Sequence, residues 1–133
     1  MASEPSSVRN GTYLGECFVH CNEELTVSPT EVRYDLTSPA PDPSNPDVHA
    51  SEPLPPDRWA AIADAAGRST LDRLPSELGL VDAADAGGEF LEVTATGAVA
   101  RVDFGLGADV PDAAPLLSLL RSLRSELASR HRP

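Results

Sequence analysis

Two pairs of short segments alternate between apolar and polar residues with the period of a β-strand. Residues 23–27 and 31–36 are joined by a Ser-Pro-Thr turn, and residues 90–95 and 99–104 are joined by Thr-Gly-Ala. A period of two places alternate side chains in the core and in water. The pattern therefore predicts two antiparallel hairpins, and these restrict the possible folds more than any other feature of the chain.

Two further segments have helical spacing. Pro55-Pro56-Asp57 is typical of a helix start, Gly67 of its end, and an apolar face lies between them: Trp59, Ile62, Ala63 and Ala66. A second helix is predicted to start near Pro111. It carries leucines at positions i, i+3, i+4, i+7 and i+11: Leu116, Leu119, Leu120, Leu123 and Leu127. The arginines near its C-terminal end, where the helix dipole favours cations, are Arg121, Arg124 and Arg130.

The order hairpin, helix, hairpin, helix predicts an α+β fold. We expect an antiparallel sheet of about four strands in two hairpins, with two main helices packed on one face (β-β-α-β-β-α). The leucine stripe is predicted to be core, because two heptads are too short for a coiled coil. We therefore expect a monomer or a weak homodimer. The predicted shared core is Leu25, Val27, Tyr34, Val93, Val102, Phe104, Leu120 and Leu123.

The chain of 133 residues fits one domain. Residues 1–11 are polar and lack periodicity, so we expect a mobile tail, followed by a single domain over residues 12–130. Residues 38–56 contain seven prolines in nineteen positions. Proline removes a backbone donor, so this segment is predicted to form a long exposed loop rather than a strand or a helix.

The formal net charge is −11, from 21 acidic residues and ten arginines. This balance argues against binding to nucleic acids or to anionic membranes, which need clustered basic residues. It is compatible with a basic protein partner, a cationic ligand or a metal ion. An acidic surface can also simply keep a small protein soluble, without any binding role. The N-terminus lacks the apolar and basic regions of a secretion signal, and no stretch is long enough to span a membrane. We therefore expect a cytoplasmic protein.

The sulfur chemistry of the chain is confined to Cys17 and Cys21, with His20 beside them. In an extended strand the two Cα atoms would lie about 13 Å apart, beyond the ~7 Å limit for a disulfide, so only a tight turn lets them pair. His20 could lower the pKa of a thiol, or join a metal site with both cysteines and a fourth ligand, His49. Two ordinary reduced cysteines are the alternative that we favour, followed by a disulfide or thiol switch and then by metal binding. We expect no cofactor and no bound metal.

A second group of acidic residues is Asp82, Asp85 and Glu89. Their spacing differs from that of a calcium-binding EF-hand loop. We expect a flexible, solvated loop there.

Cys17-Phe18-Val19-His20-Cys21 leads into a strand, which is followed by a second strand, a helix, an acidic loop, a hairpin and a leucine-rich helix. This order resembles a family of small bacterial proteins of unknown function that begin with Cys-Phe-Gly-x-Cys, although Val19 stands in place of the glycine. The resemblance covers residues 13–128 and implies an α+β fold. It implies no activity.

Two functions are compatible with the sequence. The first is a non-catalytic interaction or regulatory protein that presents an acidic surface and its proline-rich loop to a partner protein. The second is a small enzyme or ligand-binding protein that uses Cys17, His20 and Cys21 in a pocket between sheet and helices, with Tyr34 and Trp59 as walls.

Overall fold

In the computed structural model, which describes residues 4–78 and 87–133, two helices pack on one face of a seven-stranded sheet. The elements are, in chain order, β1 (Ser7–Tyr13), β2 (Asn22–Val27), β3 (Glu31–Thr37), β4 (Val48–Pro53), α1 (Pro56–Arg68), β5 (Glu77–Leu78), β6 (Gly88–Ala95), β7 (Ala98–Phe104) and α2 (Ala114–His131). The predicted α+β class and single domain are confirmed.

The sheet is larger than the four strands that we expected. Its order is β4-β3-β2-β1-β6-β7-β5. Both predicted hairpins are present, as β2–β3 and β6–β7, and β1 joins them by pairing with β2 on one side and β6 on the other. The sheet is also mixed, because β5 runs parallel to β7 while the other neighbours are antiparallel.

The prediction of a mobile tail over residues 1–11 was wrong for residues 7–11, since β1 begins at Ser7 and lies in the middle of the sheet, whereas residues 1–3 lie outside the described residues. The strand lacks the usual apolar alternation because polar Asn10 takes an inward-facing position next to Val8. Both side chains are fully buried. The amide of Asn10 is satisfied there by hydrogen bonds, as described below, so a polar residue can occupy the core face.

The prediction that residues 38–56 form only a loop was also wrong. Between Pro46 and Pro53 the chain is free of proline, and β4 forms there at the edge of the sheet, paired with β3. Proline is tolerated at the end of an edge strand because its missing donor would face solvent. The remaining loop covers residues 38–47.

The core between the sheet and the helices contains all eight residues that we predicted, with Val93 partly buried at its margin. Helix α1 contributes Trp59, Ile62 and Ala66. The leucine stripe of α2 is buried as expected, except that Leu119 is 38% exposed and Leu117 is buried in its place.

Charged and polar side chains cover the opposite face of the sheet, around one buried aromatic ring. Phe90 is directly opposite Gly11 across the β1–β6 pair and is only 2% exposed. The guanidinium of Arg101 lies 4.1 Å from the ring centroid, and that of Arg9 lies 5.3 Å from it. Carboxylates of Glu92 and Asp103 hold these arginines in place. Phe90 is thus buried by neighbouring side chains of the sheet itself.

Candidate functional site

The loop between β1 and β2 is closed by a disulfide between Cys17 and Cys21, whose Cα atoms are 5.7 Å apart. The loop turns back on itself at His20, which has a positive φ of 51°. The backbone N–H of Leu14 donates to the carbonyl of Cys21 at 3.0 Å and closes the base of the loop. The prediction that only a turn could bring the two sulfurs together is confirmed, whereas the alternative that we favoured, two reduced cysteines, was wrong because this turn brings both sulfurs into a disulfide.

His20 connects this loop to the proline-rich loop. Its backbone N–H donates to Ser38 Oγ at 2.8 Å, and its ring Nε2 lies 3.1 Å from the carbonyl oxygen of Pro46. The contact is possible because the C-terminal residues of β1 and β3 lie at the same end of the antiparallel sheet. We call this region the loop end, and define it as residues 14–21, 38–47 and 105–110.

The loop end carries most of the exposed large apolar side chains. Six such side chains are exposed among the residues that the structure describes. Four of them lie in the loop end: Leu14 (47% exposed), Phe18 (90%), Val19 (37%) and Leu106 (43%). Val99 lies beside the β6–β7 turn at the opposite end of the sheet, and Leu119 lies on α2. Exposed apolar residues that share one region mark interaction sites more often than scattered ones do.

The charges of the loop end have one sign. Its three segments contain four carboxylates and neither lysine nor arginine: Glu16, Asp42, Asp47 and Asp109. A shallow cleft of about 350 Å³ lies within the proline-rich loop and is lined by Asp42 and Asp47 together with Ser38 and three prolines. In the sequence, Glu16 lies two residues from both Leu14 and Phe18, and Asp109 lies three residues from Leu106.

The residues proposed as metal ligands do not meet. The disulfide takes up both thiols, and His20 is held against the proline-rich loop. His49 lies on β4, where its Nδ1 is 2.6 Å from Asp35 Oδ1 on the sheet face away from the helices. Within residues 4–78 and 87–133, no three His, Cys, Asp or Glu side chains are grouped closely enough to hold a metal ion.

Tyr34 and Trp59, the predicted pocket walls, are both buried in the core between sheet and helices. The Tyr34 hydroxyl donates to the Glu23 carboxylate, and burial together with this hydrogen bond raises the pKa of Tyr34 above its ordinary value. Neither ring faces the cysteine loop in an open pocket. An apolar cleft of about 300 Å³ lies elsewhere, between the end of α1 and the β6–β7 hairpin.

Glu89 contradicts the prediction of a solvated acidic loop, whereas Asp82 and Asp85 lie outside the described residues. Glu89 belongs to β6 and is 1% exposed. Its carboxylate accepts from Arg121 Nε at 2.9 Å and Nη2 at 2.7 Å, and from Asn10 Nδ2 at 3.0 Å. Burial acts to raise the pKa of Glu89, but these hydrogen bonds and the charges of both arginines, Arg121 and Arg124, bring it below its ordinary value.

The Glu89 cluster attaches α2 to the sheet. Arg124 Nη1 donates to Asn10 Oδ1 at 2.5 Å, and the backbone N–H of Gly107 donates to Glu89 at 3.1 Å. Sequence reasoning assigned Arg121 and Arg124 to the helix dipole and missed this role. The available signal was their spacing of three residues, which puts both beside the buried leucines on one side of α2. Every polar group of the cluster is satisfied, so its role is structural.

No family model matches the chain, and no characterised protein has a significantly similar sequence. The resemblance to the cysteine-containing bacterial family therefore stays a prediction. In the described part of the chain, neither helix combines the length and the apolar character needed to cross a membrane.

Proposed function

We propose that this protein is a non-catalytic interaction protein that binds a partner protein through its loop end. The observation that carries the proposal is Phe18, which is 90% exposed at the tip of a loop closed by a disulfide. We also propose that the protein is cytoplasmic and that its partner is basic.

An exposed phenylalanine gives a partner a large apolar surface to bury. Transfer of such a side chain from water into an apolar pocket is worth about 1.5–3 kcal/mol. Aromatic residues are also enriched among the residues that dominate binding energies at protein interfaces. Leu14 and Val19 belong to the same loop and are themselves exposed. This arrangement suits a central aromatic anchor with an apolar surround.

The loop is ordered before any partner binds. The disulfide, the Leu14–Cys21 hydrogen bond and the two contacts of His20 hold it at four points. A binding loop that is already ordered loses less conformational entropy on association, so more of the contact energy appears as affinity. This favours a binding role over a site that must rearrange around a substrate.

The charge of the loop end points to the chemistry of the partner. The three segments of the loop end contain four carboxylates and no lysine or arginine, and the arginine that contacts them, Arg121 of α2, donates to the carbonyl of Ala108. Complementary charges speed association and select partners, and salt screens them. We therefore propose an apolar pocket with a rim of lysine and arginine side chains on the partner, and binding that weakens as salt increases.

Affinity capture with matched variants tests this proposal. The immobilised protein, its Phe18→Ser variant and a Val99→Ser control are each incubated with an extract of the cells that naturally produce the protein. Val99 is 60% exposed at the opposite end of the sheet, so its replacement removes apolar surface without touching the loop end. We expect one basic protein to be retained by the wild type and by Val99→Ser, and lost with Phe18→Ser. Equal retention by all three would contradict the proposal.

A further inference from the structure

We infer that the Cys17–Cys21 disulfide is a reversible redox switch, and that its state determines whether the loop carrying Phe18 is ordered or flexible. Reduction by a dithiol opens the loop, and oxidation closes it. The consequence for binding rests on the function proposed above, whereas the change in loop order can be measured without any partner.

The disulfide is a local bridge that the rest of the fold does not need. It spans four residues between neighbouring strands, and the core cluster of 21 buried residues contains neither cysteine. A bridge that closes a short loop constrains the unfolded chain less than one that closes a long loop. Opening it therefore leaves the sheet and the helices intact and acts on residues 14–21.

The closed loop holds a backbone conformation that an open loop would leave. His20 has a φ of 51°, in the left-handed region that residues with a side chain seldom adopt. Such conformations persist only where the surroundings impose them. Once the bond is broken, the Cα atoms of Cys17 and Cys21 are free to move from 5.7 Å towards the ~13 Å of an extended segment. His20 then loses its hydrogen-bond contacts with Ser38 and Pro46, and Phe18 loses its fixed position.

The exposure of the two cysteines determines which sulfur atom the reductant attacks first. Cys21 is 3% exposed, whereas Cys17 is partly exposed, so the thiolate of the dithiol attacks Cys17 Sγ. The S–S bond breaks, and Cys21 leaves as a thiolate that takes up a proton. The second thiol of the dithiol then displaces Cys17, which is also protonated. Two electrons pass to the protein, and the dithiol becomes a disulfide. A small-molecule disulfide such as oxidised glutathione reverses these steps.

Fluorine NMR of the full chain provides the test, because the protein has three phenylalanines. Phe90 and Phe104 are buried, at 2% and 1% exposure, and only Phe18 is exposed. Protein labelled with fluorophenylalanine is recorded oxidised and after reduction with dithiothreitol, with thiols counted by alkylation and mass. A Phe18→Leu variant assigns the Phe18 line.

We expect reduction to shift and narrow the Phe18 line towards that of a flexible peptide, and to leave the other two lines unchanged. Reoxidation with oxidised glutathione should restore the first spectrum. A Phe18 line that stays the same would overturn the inference, because the loop would hold its shape without the bond. Changes in the lines of Phe90 and Phe104 would also overturn it, because the disulfide would then support the whole fold.

A Cys17→Ser variant separates this inference from the proposed function. Replacing the more exposed cysteine breaks the bond and leaves buried Cys21 in place. We expect retention of the basic partner to fall at least about tenfold with Cys17→Ser or after reduction, which equals about 1.4 kcal/mol. Unchanged retention in both cases would overturn the regulatory role. The proposed function fails by a different result, namely partner retention that is insensitive to Phe18→Ser in the oxidised protein.

Discussion

The ring of Phe90 occupies the space that a side chain on Gly11 would need. A Cβ built on Gly11 would lie 2.7 Å from Cε1 of Phe90 and 2.6 Å from the carbonyl oxygen of Glu23. One of these neighbours is backbone and cannot give way easily. The middle of the sheet therefore depends on a residue without a side chain at this position, across from an aromatic residue that covers it.

We expect Gly11→Ala to destabilise the protein by about 1–3 kcal/mol, the usual cost of overpacking a filled site. Gly67→Ala is the control, because nothing lies within 4 Å of a Cβ built there and the residue is in α1. Alanine favours a helix over glycine, so the control should be neutral or stabilising by up to about 1 kcal/mol. Urea denaturation of both variants measures the difference. Equal stabilities would show that both the ring of Phe90 and the backbone at Glu23 can move aside.

Adjacent leucines of α2 test the position of the core. Leu120 is fully buried, whereas Leu119 is 38% exposed. We expect Leu120→Ala to lower the free energy of unfolding by about 2–5 kcal/mol, because it leaves a cavity. Leu119→Ala should cost less than about 1 kcal/mol, since little apolar burial is lost. A loss below half a kcal/mol for Leu120→Ala would instead place this side of the helix on the surface.

The buried Glu89 cluster should contribute far more to stability than an exposed ion pair. Glu89→Gln removes the carboxylate that pairs with Arg121 and leaves Arg124 with Glu23 as its remaining ion-pair partner, and we expect a loss of about 3 kcal/mol. Glu126→Gln is the matched control, because Glu126 pairs with Arg58 but its side chain is 40% exposed. The control should lose less than about 1 kcal/mol. Thermal and chemical unfolding at neutral pH measure both variants.

The same cluster should make the protein sensitive to acid. The pKa of Glu89 is lowered in the folded protein, against burial, by Arg121 and Asn10, and hydrogen bonds from Arg130 and His131 lower the pKa of Glu52 to about 2. The unfolded chain therefore takes up protons at a higher pH than the folded chain. This stabilisation is complete above the unfolded pKa of about 4.5 and is lost as the pH falls through the folded values.

We therefore expect the free energy of unfolding to be constant near neutral pH and to fall below about pH 4.5. In Glu89→Gln the fall should be shallower by up to about 1.4 kcal/mol per pH unit, the contribution of one proton. Urea denaturation at a series of pH values measures the two slopes. Parallel curves would mean that Glu89 ionises equally in the folded and unfolded protein.

The sequence predicted the parts of the fold that rest on local periodicity. Both hairpins, both helices and the shared core follow from apolar residues at spacings of two or of three and four. β1 could not be predicted in this way, because polar Asn10 fills an inward position where the pattern expects an apolar residue, and Gly11 fills the outward position next to it without a side chain. Their fit depends on Arg124 and Phe90, which are distant in the sequence.

The candidate site was predictable only in part. The proximity of Cys17 and Cys21 required a turn, but the sequence did not say whether the turn forms. The cysteines and His20 were the residues that the sequence marked for chemistry, whereas the most exposed apolar residue between the cysteines is Phe18. Whether one apolar side chain stays exposed depends on how the whole chain folds, so it cannot be predicted from the neighbouring residues alone. The joining of the two loops by His20 likewise depends on strand order, which brings residues 20 and 38 to the same end.

Site-specific photo-cross-linking tests most directly whether the loop end binds a partner. Benzoylphenylalanine is placed at position 18 in the oxidised protein, and at position 99 in a control that exposes a similar apolar residue at the other end of the sheet. Both oxidised proteins are irradiated in a reductant-free extract of the cells that naturally produce the chain, and the products are identified by mass. We expect one dominant, basic partner to be cross-linked from position 18 and to be absent from position 99. The same products from both positions, or none from position 18, would contradict it.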